Sequence, residues 1–232
     1  LHGFGSSLHT WDAWAPTLAQ DYRVISLDLP GFGLTGANPS GDYSDAFVLQ
    51  FLSAFADQLG IQSAVWIGNS MGGRFAWEMA VAQPQRVDKL VLISPDGFAS
   101  KGFQYGEKPS ISPILHAMRY FLPQSILEMN LKPAYANPAT MDAALAQRYY
   151  DLMLAPGVRE SLIELMRQHI LEDPRPLLGR IQVPTLLLWG ERDGFIPITN
   201  AQDYLRLMPK AKLVALPNIG HIPQEEKPQE GL

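Results

Sequence analysis

Five short apolar runs rich in β-branched and aliphatic residues recur along the chain: Arg23–Leu27, Ala64–Ile67, Lys89–Ile93, Thr185–Leu188 and Lys212–Leu216. Each has the length and composition of a strand buried on both faces. Segments of helical spacing lie between them. Phe47, Phe51, Phe55 and Leu59 recur every four residues, and Gly60 supplies a C-terminal stop. Met71–Gln83 reads as a second helix ended by Pro84, and Ile198–Leu207 as a third with Pro197 at its first turn. Alternation of this kind predicts an α/β fold with a mainly parallel sheet and helices on both faces.

The alternation breaks between residues 98 and 178. Helical patterns occur there at Ile114–Phe121, Gln124–Leu131, Ala139–Leu154 and Val158–Leu171, punctuated by prolines and without a strand-like run. The expected organisation is a core domain formed by 1–97 and 179–232, with 98–178 inserted as a helical cap or lid. A plain helical packing layer is the alternative. Aromatic and methionine residues of the insertion (Phe98, Phe103, Tyr105, Met118, Tyr120, Phe121, Met129, Tyr149 and Met153) are candidates for an apolar pocket or for the core.

Composition narrows the function classes. The 232 residues suffice for one sizeable domain. A net charge of −5 without clustered Lys or Arg argues against a nucleic-acid partner and shows no polybasic membrane patch. No apolar run approaches the roughly 20 residues of a membrane-spanning helix. The absence of cysteine excludes disulfides, thiolate metal sites and a cysteine nucleophile.

Chemistry concentrates on three loops. Gly68-Asn69-Ser70-Met71-Gly72-Gly73 follows one expected strand and opens one expected helix. Gly-x-Ser-x-Gly in that setting lifts a serine hydroxyl above the strand ends on a tight turn whose neighbours must be small. A serine nucleophile needs a base, and the base an orienting acid. Asp193 lies just after Thr185–Leu188, and His221 just after Lys212–Leu216. Both loops are therefore expected at the carboxyl ends of parallel strands, where α/β sheets build sites. Asp96, in Ser94-Pro95-Asp96-Gly97, is a rival acid, and Glu191 a third candidate. His9, His116 and His169 lack such a context and read as non-catalytic. Backbone amides of Met71 and Phe4, with Gly5 as second choice in the first loop, are the expected oxyanion donors. His2 is expected to hold that loop. The chemistry needs no metal or organic cofactor.

Leu1-His2-Gly3-Phe4-Gly5, Asp28-Leu29-Pro30-Gly31-Phe32-Gly33, Gly68–Gly73, Gly190–Pro197 and Gly220–Pro223 together resemble the α/β-hydrolase superfamily. The resemblance implies an eight-stranded sheet with a cap between the sixth and seventh strands. It also implies that the first two strands, most of the third and the last helix are missing from this chain. Among serine members, carboxylesterase-like cleavage of a small apolar ester through Ser70, His221 and Asp193 is the leading expectation. Carbon–carbon bond hydrolases of aromatic ring-cleavage pathways are second, because the Gly68–Gly73 run is similar to theirs while Gly5-Ser6-Ser7 and Ile222 depart from their usual pattern. A non-catalytic binding member of the fold is third. The serine at position 70 sets the chain apart from branches that use a carboxylate nucleophile.

Overall fold

A computed structural model describes residues 1–99 and 104–232. Among these, four strands form one parallel sheet in the order β1-β2-β3-β4: β1 (Ala64–Asn69), β2 (Val87–Ile93), β3 (Thr185–Gly190) and β4 (Ala211–Leu216). The interiors of β2 and β3 are aliphatic because both faces are covered, whereas β1 and β4 expose Val65 and Val214. Leu92, Ile93, Leu187 and Trp189 are fully buried. Asn69 lies opposite Ile93, and Gly190 opposite Leu216. The carboxyl ends of the strands thus stop nearly in line, and the loops after them share one crevice.

The Arg23–Leu27 run corrects an expectation. It is mostly half-buried but joins no ladder among the described residues. Periodicity identifies a stretch able to pair, whereas a strand exists only where a neighbour supplies the hydrogen bonds. The outer side of β1 is instead met by Leu1, whose carbonyl accepts from the Asn69 amide at 3.1 Å. Among the described residues the sheet accordingly has four strands.

The helices follow their local signals. Ser44 caps Asp45–Gln58 by accepting from the Phe47 amide, and Gly60 leaves that helix at φ 68°. Met71–Ala82 packs on β1 and β2. Thr199–Leu207 buries Ala201 and Tyr204. Between β2 and β3 lie the helices Pro113–Ala117, Gln124–Leu131, Ala143–Met153 and Val158–Gln168. The expected Ala139–Leu154 helix starts late because Asp142 accepts from the Leu145 amide at 2.8 Å and fixes the N-terminus there. Leu122, Tyr149, Met153 and Leu162 of this segment belong to the same apolar cluster as Leu29, Met71 and Trp189. The inserted helices therefore share the core of the sheet. No helix among the described residues is long and apolar enough to cross a membrane.

Candidate active site

The turn after β1 carries a strained residue of the crevice. Ser70 has φ 55° and ψ −121°, a region that non-glycine residues rarely enter. The surroundings hold it there. The Ser70 amide donates to the Ile93 carbonyl at 2.9 Å, and the Ser70 carbonyl accepts from the Arg74 and Asp96 amides, each at 3.0 Å. Glycine is obligatory on both sides. A Cβ at Gly68 would sit 2.2 Å from the Gly72 carbonyl oxygen, and one at Gly72 would sit 2.4 Å from that of His2. The elbow helix and the first loop thereby touch backbone to backbone.

His221 and Asp193 meet across the ends of β3 and β4. His221 Nδ1 lies 2.8 Å from Asp193 Oδ2, and the two side chains are 6% and 0% exposed. The other carboxylate oxygen accepts from the Phe195 and Ile196 amides at 2.8 Å each. Asp193 acts as an acceptor throughout, so the proton between the pair belongs on Nδ1 and leaves the Nε2 lone pair free. Asn69 closes the floor. Its side-chain amide donates to the Ile93 carbonyl at 3.1 Å and to the His221 carbonyl at 3.0 Å.

The first loop is held by His2, which is fully buried. Its Nδ1 donates to the Gly3 carbonyl at 2.8 Å, and its Nε2 accepts from the Leu29 amide at 3.0 Å. Burial lowers its pKa to about 4, so the ring is neutral at pH 7. Asp28 is also buried and accepts from the Leu8 and Leu34 amides at 2.7 and 2.9 Å. Among the described residues, neither the Phe4 amide nor the Met71 amide donates elsewhere.

Ser70, His221, Phe4 and Asn69 border one cavity of about 490 Å³, within the range of small-molecule sites. Asp193 stands behind His221, and Met71 is buried beside the elbow, outside the wall. Ser70 Oγ and His221 are not hydrogen-bonded among the described residues. Such contacts commonly tighten only when substrate is bound. Of the candidate pocket residues, Met118, Tyr149 and Met153 line the cavity. Phe98 packs against Tyr204 at 4.9 Å, Tyr105 accepts from the Ala99 amide, and Tyr120, Phe121 and Met129 are exposed. Phe103 lies outside the described residues.

The rival acids lie elsewhere. Asp96 faces Arg74 Nε at 3.6 Å in a cluster that also contains Asp45 and Glu78. Burial there, partly opposed by Arg74, raises the Glu78 pKa to about 8. Glu191 is exposed. His169 stands 3.9 Å from Asp96, and His9 bonds Asp12 at the surface.

Two further carboxylates carry no sequence signal. Glu226 accepts from the Gly220 amide at 2.7 Å, the Asn137 amide at 2.8 Å and the Ala136 amide at 3.2 Å. Glu225 accepts from the Tyr149 and Tyr135 hydroxyls at 2.8 and 3.0 Å, and Tyr149 also contacts Ser6 Oγ at 3.3 Å. Burial, reinforced by Glu225, raises the Tyr149 pKa well above its ordinary value. Together they join the His221 loop, the first loop and the inserted helices.

Comparison with known proteins identifies the fold family. Residues 1–228 match the family model described as the alpha/beta hydrolase fold. The chain is 32% identical to the dihydrolipoyllysine-residue acetyltransferase component of the acetoin cleaving system of Pseudomonas putida, over 99% of this chain but only 60% of that protein. It is 28% identical to the 2-hydroxy-6-oxo-6-phenylhexa-2,4-dienoate hydrolase of Burkholderia cepacia, over 97% of this chain and 81% of that one. It is also 28% identical to the pimeloyl-[acyl-carrier protein] methyl ester esterase of Aliivibrio fischeri, over 96% and 85%. Among solved structures, a mutant meta-cleavage product hydrolase of Pseudomonas fluorescens superposes with a TM-score of 0.84 at 25% identity, covering 98% of this chain and 84% of that one. The protein belongs to the α/β-hydrolase fold family.

Proposed function

We propose that the protein cleaves a carboxylic ester of a small, largely apolar substrate through an acyl-enzyme, with Ser70 as nucleophile, His221 as general base and Asp193 as the acid that orients it. The observation that carries this reading is the 2.8 Å His221 Nδ1–Asp193 Oδ2 contact beside a cavity that both Ser70 and His221 border. In the first step the Ser70 proton moves to His221 Nε2 as Oγ adds to the ester carbonyl. The Met71 and Phe4 amides take the oxyanion, each worth roughly 3 kcal/mol of barrier. His221 then returns the proton to the leaving alcohol. Water, deprotonated by the same nitrogen, adds to the acyl-enzyme and releases the acid. In this reading segment 98–178 is the cap, and its apolar side chains exclude water from the acyl group.

Turnover of p-nitrophenyl esters by the protein and by Ser70→Ala tests the assignment, and equal rates would sink it. A fluorophosphonate probe separates a hydrolase from a binding member of the fold, since only the former labels at Ser70. A second reading, cleavage of a carbon–carbon bond in a ring-cleavage dienoate, is favoured by the similarity to the Burkholderia cepacia hydrolase. Running an ester and such a dienoate side by side distinguishes the two by kcat/KM.

A further inference from the structure

Arg159 sits awkwardly for a structural residue. It occupies the first turn of Val158–Gln168, after Gly157, where the helix dipole disfavours a cation. Among the described residues no carboxylate pairs with it, while neighbouring Glu160 turns to Arg119 at 3.9 Å. Three other arginines, Arg23, Arg180 and Arg192, also lack a carboxylate partner, but they are exposed. Arg159 is half-buried and borders the cavity that contains Ser70 and His221. The remaining wall on the inserted helices is apolar apart from Asn130 and Tyr149, and the Tyr149 hydroxyl is engaged by Glu225. An unpaired cation placed against its helix dipole, on an apolar wall, breaks a local rule without an internal gain, and such violations concentrate at functional sites.

We propose that Arg159 binds a carboxylate at the far end of the substrate's acyl chain, so that the preferred substrates are half-esters of dicarboxylic acids with an apolar middle. The planar guanidinium fork matches two carboxylate oxygens. A single cation in an apolar wall suits a monoanion. A dianionic phosphate would leave one charge uncompensated. The inference rests on the ester-hydrolysis reading, and the test separates them.

The first arm compares mono-p-nitrophenyl hexanedioate with p-nitrophenyl hexanoate. Arg159→Gln is expected to lower kcat/KM for the acid-ended ester roughly tenfold to hundredfold, chiefly through KM. The neutral ester should change less than about twofold, and Arg159→Lys should recover part of the loss. The second arm needs no turnover. Calorimetric titration of Ser70→Ala with monomethyl hexanedioate and with methyl hexanoate is expected to show at least tenfold tighter binding of the acid, abolished in Ser70→Ala/Arg159→Gln. No preference for the acid, or no binding of it, overturns the proposal. A preserved acid preference without ester turnover overturns the esterase reading and leaves the anion site standing.

Discussion

Truncating Glu226 should loosen the His221 loop and destabilise the whole fold together. Glu226 is 7% exposed, and its carboxylate takes three amides, those of Gly220, Ala136 and Asn137. Glu226→Ala removes every acceptor at once. The buried Gly220 amide left without a partner costs about 1–3 kcal/mol, and the part-buried Ala136 and Asn137 amides less each, giving roughly 2–6 kcal/mol before relaxation. Water entering the vacated space restores part of this, so a loss of about 2–4 kcal/mol is expected. That is a large share of the roughly 5–15 kcal/mol by which domains are stable. Glu226→Gln keeps one carbonyl oxygen but turns an NH2 toward the remaining donors, and should lose about 1–3 kcal/mol. Urea unfolding measures both through the midpoint, provided the slope is unchanged. Under native conditions Glu226→Gln should also lose activity, because the Gly220 amide it holds immediately precedes His221. A Glu226→Ala midpoint equivalent to less than about 1 kcal/mol of change would refute the reasoning.

Other expectations follow from the same geometry. Asp193→Asn can still accept from the Phe195 and Ile196 amides, so its melting temperature should move little; its NH2 would face His221 Nδ1, force the proton onto Nε2, and lower kcat by about 10⁴, read in the ester assay. Ser70→Gly should abolish turnover yet raise the melting temperature by roughly 2–8 °C in calorimetry, since glycine adopts φ 55° without strain and gives back only part of the gain as unfolded-state entropy. His2 ties stability to acid. Its pKa is about 4 when folded, below the ordinary 6.5, so its contribution is complete above pH 6.5 and is lost as pH falls toward 4. The shift corresponds to about 3 kcal/mol, and urea midpoints between pH 7 and 4 should fall less steeply for His2→Gln than for the parent.

The parts of the fold that rest on local chemistry were legible in the sequence. The strand that became β1 and the Gly68–Gly73 turn announced themselves because a tight strand–helix turn tolerates only small residues there. Asp193 and His221 were legible as loop residues after apolar runs, and the sheet brought them together. What escaped depends on partners distant in the chain. Arg23–Leu27 has strand composition, but among the described residues no neighbour completes a ladder beside it. Glu225 and Glu226 look like solvated charges, and only the return of Tyr135, Ala136 and Tyr149 to the His221 loop makes them structural. Asp96 differs from Asp193 through a partner the local motif does not show, Arg74.

Asn69 gives the site a common frame of reference. One side-chain amide reaches the end of β2 and the backbone of His221, while its own backbone leads directly into Ser70. The proposed nucleophile and base arrive from loops 151 residues apart in the chain, 70 to 221, yet a single planar group measures one against the other. Thermal motion of the loop after β4 is thereby transmitted to the elbow, and the two functional groups drift together instead of apart. Their separation, which matters to reactivity at the scale of about 1 Å, is then steadier than the absolute position of either.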